Sequence, residues 1–197
     1  MNIADIRIRQ AGNEPGLIPA LADVLIDCVA GGASVSFMWP LPREKALAFW
    51  RGVTASAGRG ERLLLVAEDS SGQLHGTVQV LLDLPDNQPH RGDIAKTLVH
   101  RRARGIGLGA KLMQGAERAA HAAGRTLLVL DTVTGGDAER LYTRLGWQRV
   151  GVIPGYALWP NGGLCDTTYF NKTLRGSGRQ SRQWARFQAV TTDVSLK

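Results

Sequence analysis

The apolar and polar positions of the chain change rhythm several times. Residues 4–10 (ADIRIRQ) alternate, which predicts an opening strand. Residues 15–32 repeat apolar positions at helical spacing and stop at Gly31 and Gly32, and residues 41–57 do so again with Pro42 near the first turn. ERLLLVAED (61–69), the turn SSGQ and LHGTVQVLLDL (74–84) predict two strands joined by a short turn. A loop over 84–92 leads to DIAKTLV (93–99), another strand. A glycine-rich stretch opens a helix that runs to Gly124, with Leu112, Ala116, Ala119 and Ala123 expected on its inner face. TLLVLD (126–131) is a short apolar strand, and GDAERLYTRLG (136–146) a short helix between glycines. WQRVGVI (147–153) and LCDTTYFNKTL (164–174) close the pattern as strands, separated by PGYALWPNGG as a loop.

The order is β-α-α-β-β-β-α-β-α-β-β. Strands joined by short turns pair antiparallel, whereas a strand reached through a helix runs parallel to the one before it. The expected fold class is therefore α/β (α+β): a mixed, mostly antiparallel sheet with one parallel pair and helices on both faces. After Leu174 the apolar rhythm fails and Arg, Ser, Gln and Gly take over. Residues 1–174 are expected to form one domain and 175–197 a basic, mobile tail.

Composition changes this picture little. A chain of 197 residues with 44% hydrophobic positions suits one soluble domain. No apolar run approaches the length of a membrane span, and the charged N-terminus has no signal-peptide core, so a cytoplasmic protein without a membrane partner is expected. Of the formal charge of +7, the last 23 residues carry +4; the remaining +3 suits an anionic ligand and falls short of the dense basic face that nucleic acid requires. Cys28 and Cys165 lack CxxC spacing and read as two free thiols. His75, His90, His100 and His121 show no metal spacing, so no metal is expected and they read as surface or incidental residues.

Candidate chemistry starts at RARGIGLGAKLM (102–113). A helix N-terminus presents unpaired N–H groups and partial positive charge, which suit a phosphate. Gly105, Gly107 and Gly109 remove the Cβ atoms that would block its approach, and Arg104 adds a full charge. A plain tight turn accounts for the glycines equally well. Gly105, Gly107 and Ala110 also fit G-x-G-x-x-A, with Asp131 about 20 residues on, as in a dinucleotide fingerprint. That fingerprint directly follows its strand and opens its domain; here HRRAR intervenes and antiparallel strands come first.

Arg104, Gly107 and Gly109 fill the R/Q-x-x-G-x-G/A loop, and AERLYTRLGW supplies Tyr142 and Trp147 before a glycine-aromatic end. With this element order, the chain resembles the GNAT superfamily of acetyl-CoA-dependent N-acetyltransferases. GGASVSFM, LDTVTGGDAERLY and PGYALWPNGGLCDTTYFNKTL look like the tabtoxin-resistance type, and the resemblance spans residues 1–174. It implies a GNAT fold whose central parallel strands splay apart, and acetyl-CoA as co-substrate. The backbone of Leu98 and Val99 would pair with pantetheine. The loop Arg104, Gly105, Ile106, Gly107, Leu108, Gly109 and Ala110 would hold the pyrophosphate. A strand N–H would face the thioester oxygen, a donor worth about 2.7–4 kcal/mol in enzymes probed by mutation.

In that setting Tyr142 would protonate the departing thiolate, although an isolated tyrosine on such a helix is more often core. Asp131 would take or hold the proton of the amine, or else cap a turn at its strand end. The resemblance places the acceptor between the first two helices and the last hairpin. Ser34, Phe37, Trp39, Tyr156 and Asp166 are its candidate lining, with Trp50 and Trp159 among the aromatics to be placed. The expected activity is acetyl transfer to a small-molecule amine, such as an amino-acid-like toxin or antibiotic, by a monomer or homodimer. Transfer to a protein N-terminus or lysine is the alternative with the same chemistry. A non-catalytic acyl-CoA sensor, or a nucleic-acid binder acting through the tail, is the alternative of another class.

Overall fold

The structure, a computed structural model, describes residues 2–174; the basic tail expected over 175–197 lies outside the described residues. A 3-10 turn (Ile3–Asp5) precedes β1 (Arg7–Gln10), then α1 (Leu17–Ala30) and α2 (Arg43–Gly58). Strands β2 (Arg62–Glu68), β3 (Leu74–Leu81) and β4 (Arg91–Val99) follow, then a 3-10 turn (Arg101–Ala103) and α3 (Leu108–Ala122). β5 (Leu127–Val133), α4 (Asp137–Arg144), β6 (Gln148–Leu158) and β7 (Leu164–Thr173) complete the chain of elements. They form one seven-stranded sheet in the order β1-β2-β3-β4-β5-β7-β6. Every neighbouring pair is antiparallel except β4 and β5.

β2 shows how the sequence builds two cores on one sheet. Side chains alternate across a strand, so Leu65 and Ala67 pack with α3 on one face while Leu64 and Val66 pack with α1 and α2 on the other. The second core is centred on Leu21, Leu25 and the fully buried Trp50, the first on Leu112, Met113 and Phe170. Such a strand, buried on both faces, is an apolar run rather than an alternation.

Two details depart from expectation. The buried face of α3 is Leu108, Leu112, Met113, Ala116 and Ala120, while Ala119 is partly covered and Ala123 lies exposed past the helix end. The stretch 154–158, expected as loop, continues β6. Pro154 and Gly155 break strands in general, but β6 is an edge strand, where an irregularity absorbs them. The Gly155 N–H is taken up by Asp166 Oδ1 at 2.8 Å.

Candidate active site

The site begins where the parallel pair fails. β4 and β5 are in register only at Arg91↔Leu127, Gly92↔Leu128 and Asp93↔Val129. Beyond that β5 follows β7 as far as Val133, and β4 continues with β3 alone. On the β3 side, one residue opposes two: Thr77 pairs with Leu98 and Gln79 with Ala95, leaving Val78 facing Lys96 and Thr97. This bulge turns β4 away from β5. A cavity of about 1290 Å³ opens in the gap, lined by β4 from Ile94 to Val99, by the start of α3 and by α4.

At one end the loop preceding α3 has the shape an extended anion needs. Gly105 and Gly107 sit at φ +77° and +87°, the left-handed region that L side chains resist, and a Cβ at either would meet open space. Gly107 is the N-cap of α3, so the N–H groups of the first helical turn lack intrahelical partners. Gly109 serves a different purpose: a Cβ there would come within 3.0 Å of Leu141 Cδ2, so it lets α3 approach α4. Leu108, Gly109 and Ala110 line the cavity with Arg104, Gly105 and Gly107; Ile106 packs toward the core instead. Arg104 Nε donates to the Val99 carbonyl (3.2 Å), bracing the loop against β4. These residues fit a pyrophosphate of CoA, and the edge of β4 at Leu98 and Val99, which no longer pairs with β5, leaves room along the splay for its pantetheine arm.

The approach to this loop corrects one sequence reading. His75 is buried, not superficial: its Nε2 meets Asp69 Oδ2 at 2.8 Å and its Nδ1 accepts from Arg102 Nε at 3.1 Å. Asp27 of α1 accepts from the Arg101 N–H (2.8 Å) and from Arg101 Nε (2.9 Å). His75 and Asp27 thus hold the turn Arg101–Ala103 from two sides. Sequence spacing gives no sign of such contacts across 27 and 74 residues.

Deeper in, α4 places Tyr142 on the cavity wall. Its ring packs against Phe170 and Trp147 at centroid distances of 6.0 and 6.1 Å. Burial pushes its phenol above the usual range, against a smaller opposing pull from the Thr97 hydroxyl. It is a protonated group at neutral pH, facing a cavity. Asp131 lies within β5, paired with Tyr169, two residues before the strand ends, and is not at a turn. It lines the cavity and is open to it, and partial desolvation there raises its pKa while Lys96 draws it down.

At the far end the loop between α1 and α2 meets the β6–β7 hairpin. Ser34 Oγ donates to the Leu158 carbonyl (2.8 Å), and the Trp39 N–H to the Pro160 carbonyl (2.9 Å). Ser34, Phe37, Tyr156 and Trp159 line the cavity; Trp39 and Asp166 do not, the one outward-facing and the other occupied with Gly155. Trp50 belongs to the core. The Tyr169 hydroxyl donates to that of Tyr156 (2.9 Å), which pushes the Tyr169 pKa up to about 12. Sequence reasoning missed Lys96, Thr97 and Ser36, because DIAKTLV reads as a regular strand when its bulge is not visible. Both cysteines are free and buried. Among the described residues, no cluster of three or more His, Cys, Asp or Glu could hold a metal ion.

Comparison with known proteins agrees with this geometry. Residues 60–149 match the family model of the acetyltransferase (GNAT) domain. An N-acetyltransferase from Staphylococcus aureus Mu50 is similar in structure at a TM-score of 0.72 with 18% identity, over 86% of this chain and 99% of that one. A GCN5-related N-acetyltransferase from Kribbella flavida gives 0.72 with 23% identity, over 87% and 99%. A GNAT superfamily phosphinothricin acetyltransferase from Sinorhizobium meliloti, in complex with AcCoA, gives 0.70 with 16% identity, over 86% and 89%. The sheet with its splayed parallel pair is the GNAT fold, and the segment that matches the acetyltransferase domain model supports an N-acetyltransferase enzyme on that fold. Among the described residues no helix is long and apolar enough to cross a membrane.

Proposed function

We propose that this enzyme moves the acetyl group of acetyl-CoA to the amine of a small, amino-acid-like molecule. The observation that carries the choice of acceptor is the bridged far end of the cavity. Two hydrogen bonds join the α1–α2 loop to the hairpin over it, which suits a compact amine better than a polypeptide lying in an open groove. The motifs similar to the tabtoxin-resistance type favour the same class of acceptor.

Each step then has a residue. The turn from Arg104 to Ala110 holds the pyrophosphate, and the Leu98–Val99 backbone aligns the pantetheine along the splay. Asp131 holds the acceptor's ammonium and takes its proton. The neutral amine attacks the thioester carbon, whose oxygen gathers charge against a strand N–H. The C–S bond breaks, Tyr142 gives its proton to the thiolate, and the nitrogen sheds its second proton to solvent as the neutral amide forms, while Tyr142 is reprotonated from solvent. Acid–base help of this kind is worth about 10²–10⁴-fold.

The test is a panel of small amines, amino acids and peptides, assayed with acetyl-CoA by release of free thiol. Turnover of small amines with none on peptides is the expected result. Turnover confined to peptides would overturn the small-molecule reading in favour of a protein acetyltransferase.

A further inference from the structure

Among the described residues, two that are not glycine adopt left-handed backbone: Ser36 at φ +74° and Lys96 at φ +51°. They lie 60 positions apart, yet they touch: Lys96 Nζ donates to Ser36 Oγ at 3.1 Å. Backbone strain persists only where its surroundings over-determine it, and it gathers at ligand sites. Here two strained residues from separate elements meet on the wall of one cavity.

The Lys96 side chain has unusual company for a lysine. It is partly buried and forms no ion pair within 4.0 Å among the described residues; its ammonium lies 5.9 Å from the centre of the Phe49 ring. Neither a hydroxyl nor an aromatic face neutralises a partly desolvated ammonium. Asp131 attracts it, but without contact. The cavity therefore offers a negative group, Asp131, and a separate positive group, Lys96, to whatever enters beside the thioester. A ligand bearing both an amine and an anionic oxygen would satisfy both.

We propose that Lys96, held by the β4 bulge and by Ser36, is the specificity-determining residue that recognises an anionic oxygen of the acceptor, the carboxylate of an amino acid being its simplest form. The inference rests on the small-amine reading above. It adds what that reading leaves open, namely the residue that reads the acceptor's anionic oxygen. An ammonium–carboxylate hydrogen bond is short and strong, and an amide in its place offers only a neutral oxygen.

The test compares kcat/KM for a series of L-α-amino acids and their α-carboxamides, in the wild type and in Lys96→Met. Because an amide and its parent acid differ in amine basicity, the readout is the change in the acid-to-amide ratio between the two proteins. The ratio is expected to fall at least ~10-fold in Lys96→Met and to recover in part in Lys96→Arg. Acetyl-CoA thermal shifts on each variant establish that it is folded; if Lys96→Met is not, Lys96→Gln reads the same ratio. Turnover with an unchanged ratio would overturn this inference and leave the acetyltransferase reading standing. A wild type that shifts with acetyl-CoA yet turns over neither series would overturn the small-amine reading, and this inference with it.

Discussion

At the scale of single residues, Tyr142 and Asp131 make opposite demands on kinetics. Tyr142→Phe keeps the ring that packs on Phe170 and Trp147 and removes only the proton. The loss should appear in kcat, about 10²–10⁴-fold, with acetyl-CoA affinity by calorimetry little changed. Equal kcat values would return Tyr142 to the core of its helix. Asp131 must be ionised to accept a proton, so kcat/KM should fall on the acid side of its pKa. Partial desolvation in the cavity has already moved that pKa upward, Lys96 opposes it, and Asp93 adds a smaller push upward. Removing the Lys96 charge should therefore move the acid limb to higher pH, while Asp131→Asn should abolish the limb along with most of the rate. An acid limb that stays in place in both variants would assign it to another group.

At the scale of elements, the loop before α3 carries a separable prediction. A Cβ at Gly107 meets no neighbour, but the left-handed φ resists a branched residue. Gly107→Val should fold with a loss of about 1–3 kcal/mol and show none of the rise in melting temperature that acetyl-CoA is expected to give the wild type. A retained shift would place the cofactor elsewhere. This loop was legible in the sequence because its chemistry is local: glycines at fixed offsets before an apolar helix. The elements and the parallel pair were legible for the same reason, through period and connection length. The bulge at Lys96 was not, since it depends on how β3 meets β4. His75 and Asp27 were not, since their partners are distant in sequence. Pro154 and Gly155 read as a loop in the sequence because they break strands locally, and the edge position of β6 that tolerates them is set by the whole sheet.

At the scale of the whole molecule, the cavity lining runs from Cys28 to Thr167, and the sheet closes with the Leu174 N–H on the Thr126 carbonyl at 2.8 Å. Removing residues 175–197 should thus leave turnover within about threefold, roughly 0.6 kcal/mol in barrier; a loss beyond tenfold would mean that the tail completes the site. The strand order carries one more implication. β7, the last strand in the sequence, lies between β5 and β6. During synthesis, β5 waits for its neighbour until all the residues up to Thr173 have left the ribosome. A chain released early, even one that already contains the glycine loop, Asp131 and Tyr142, has an open seam through the middle of its sheet. Such fragments should be inert, because until β7 is in place β6 has no partner strand and β5 pairs only with Arg91, Gly92 and Asp93 of β4.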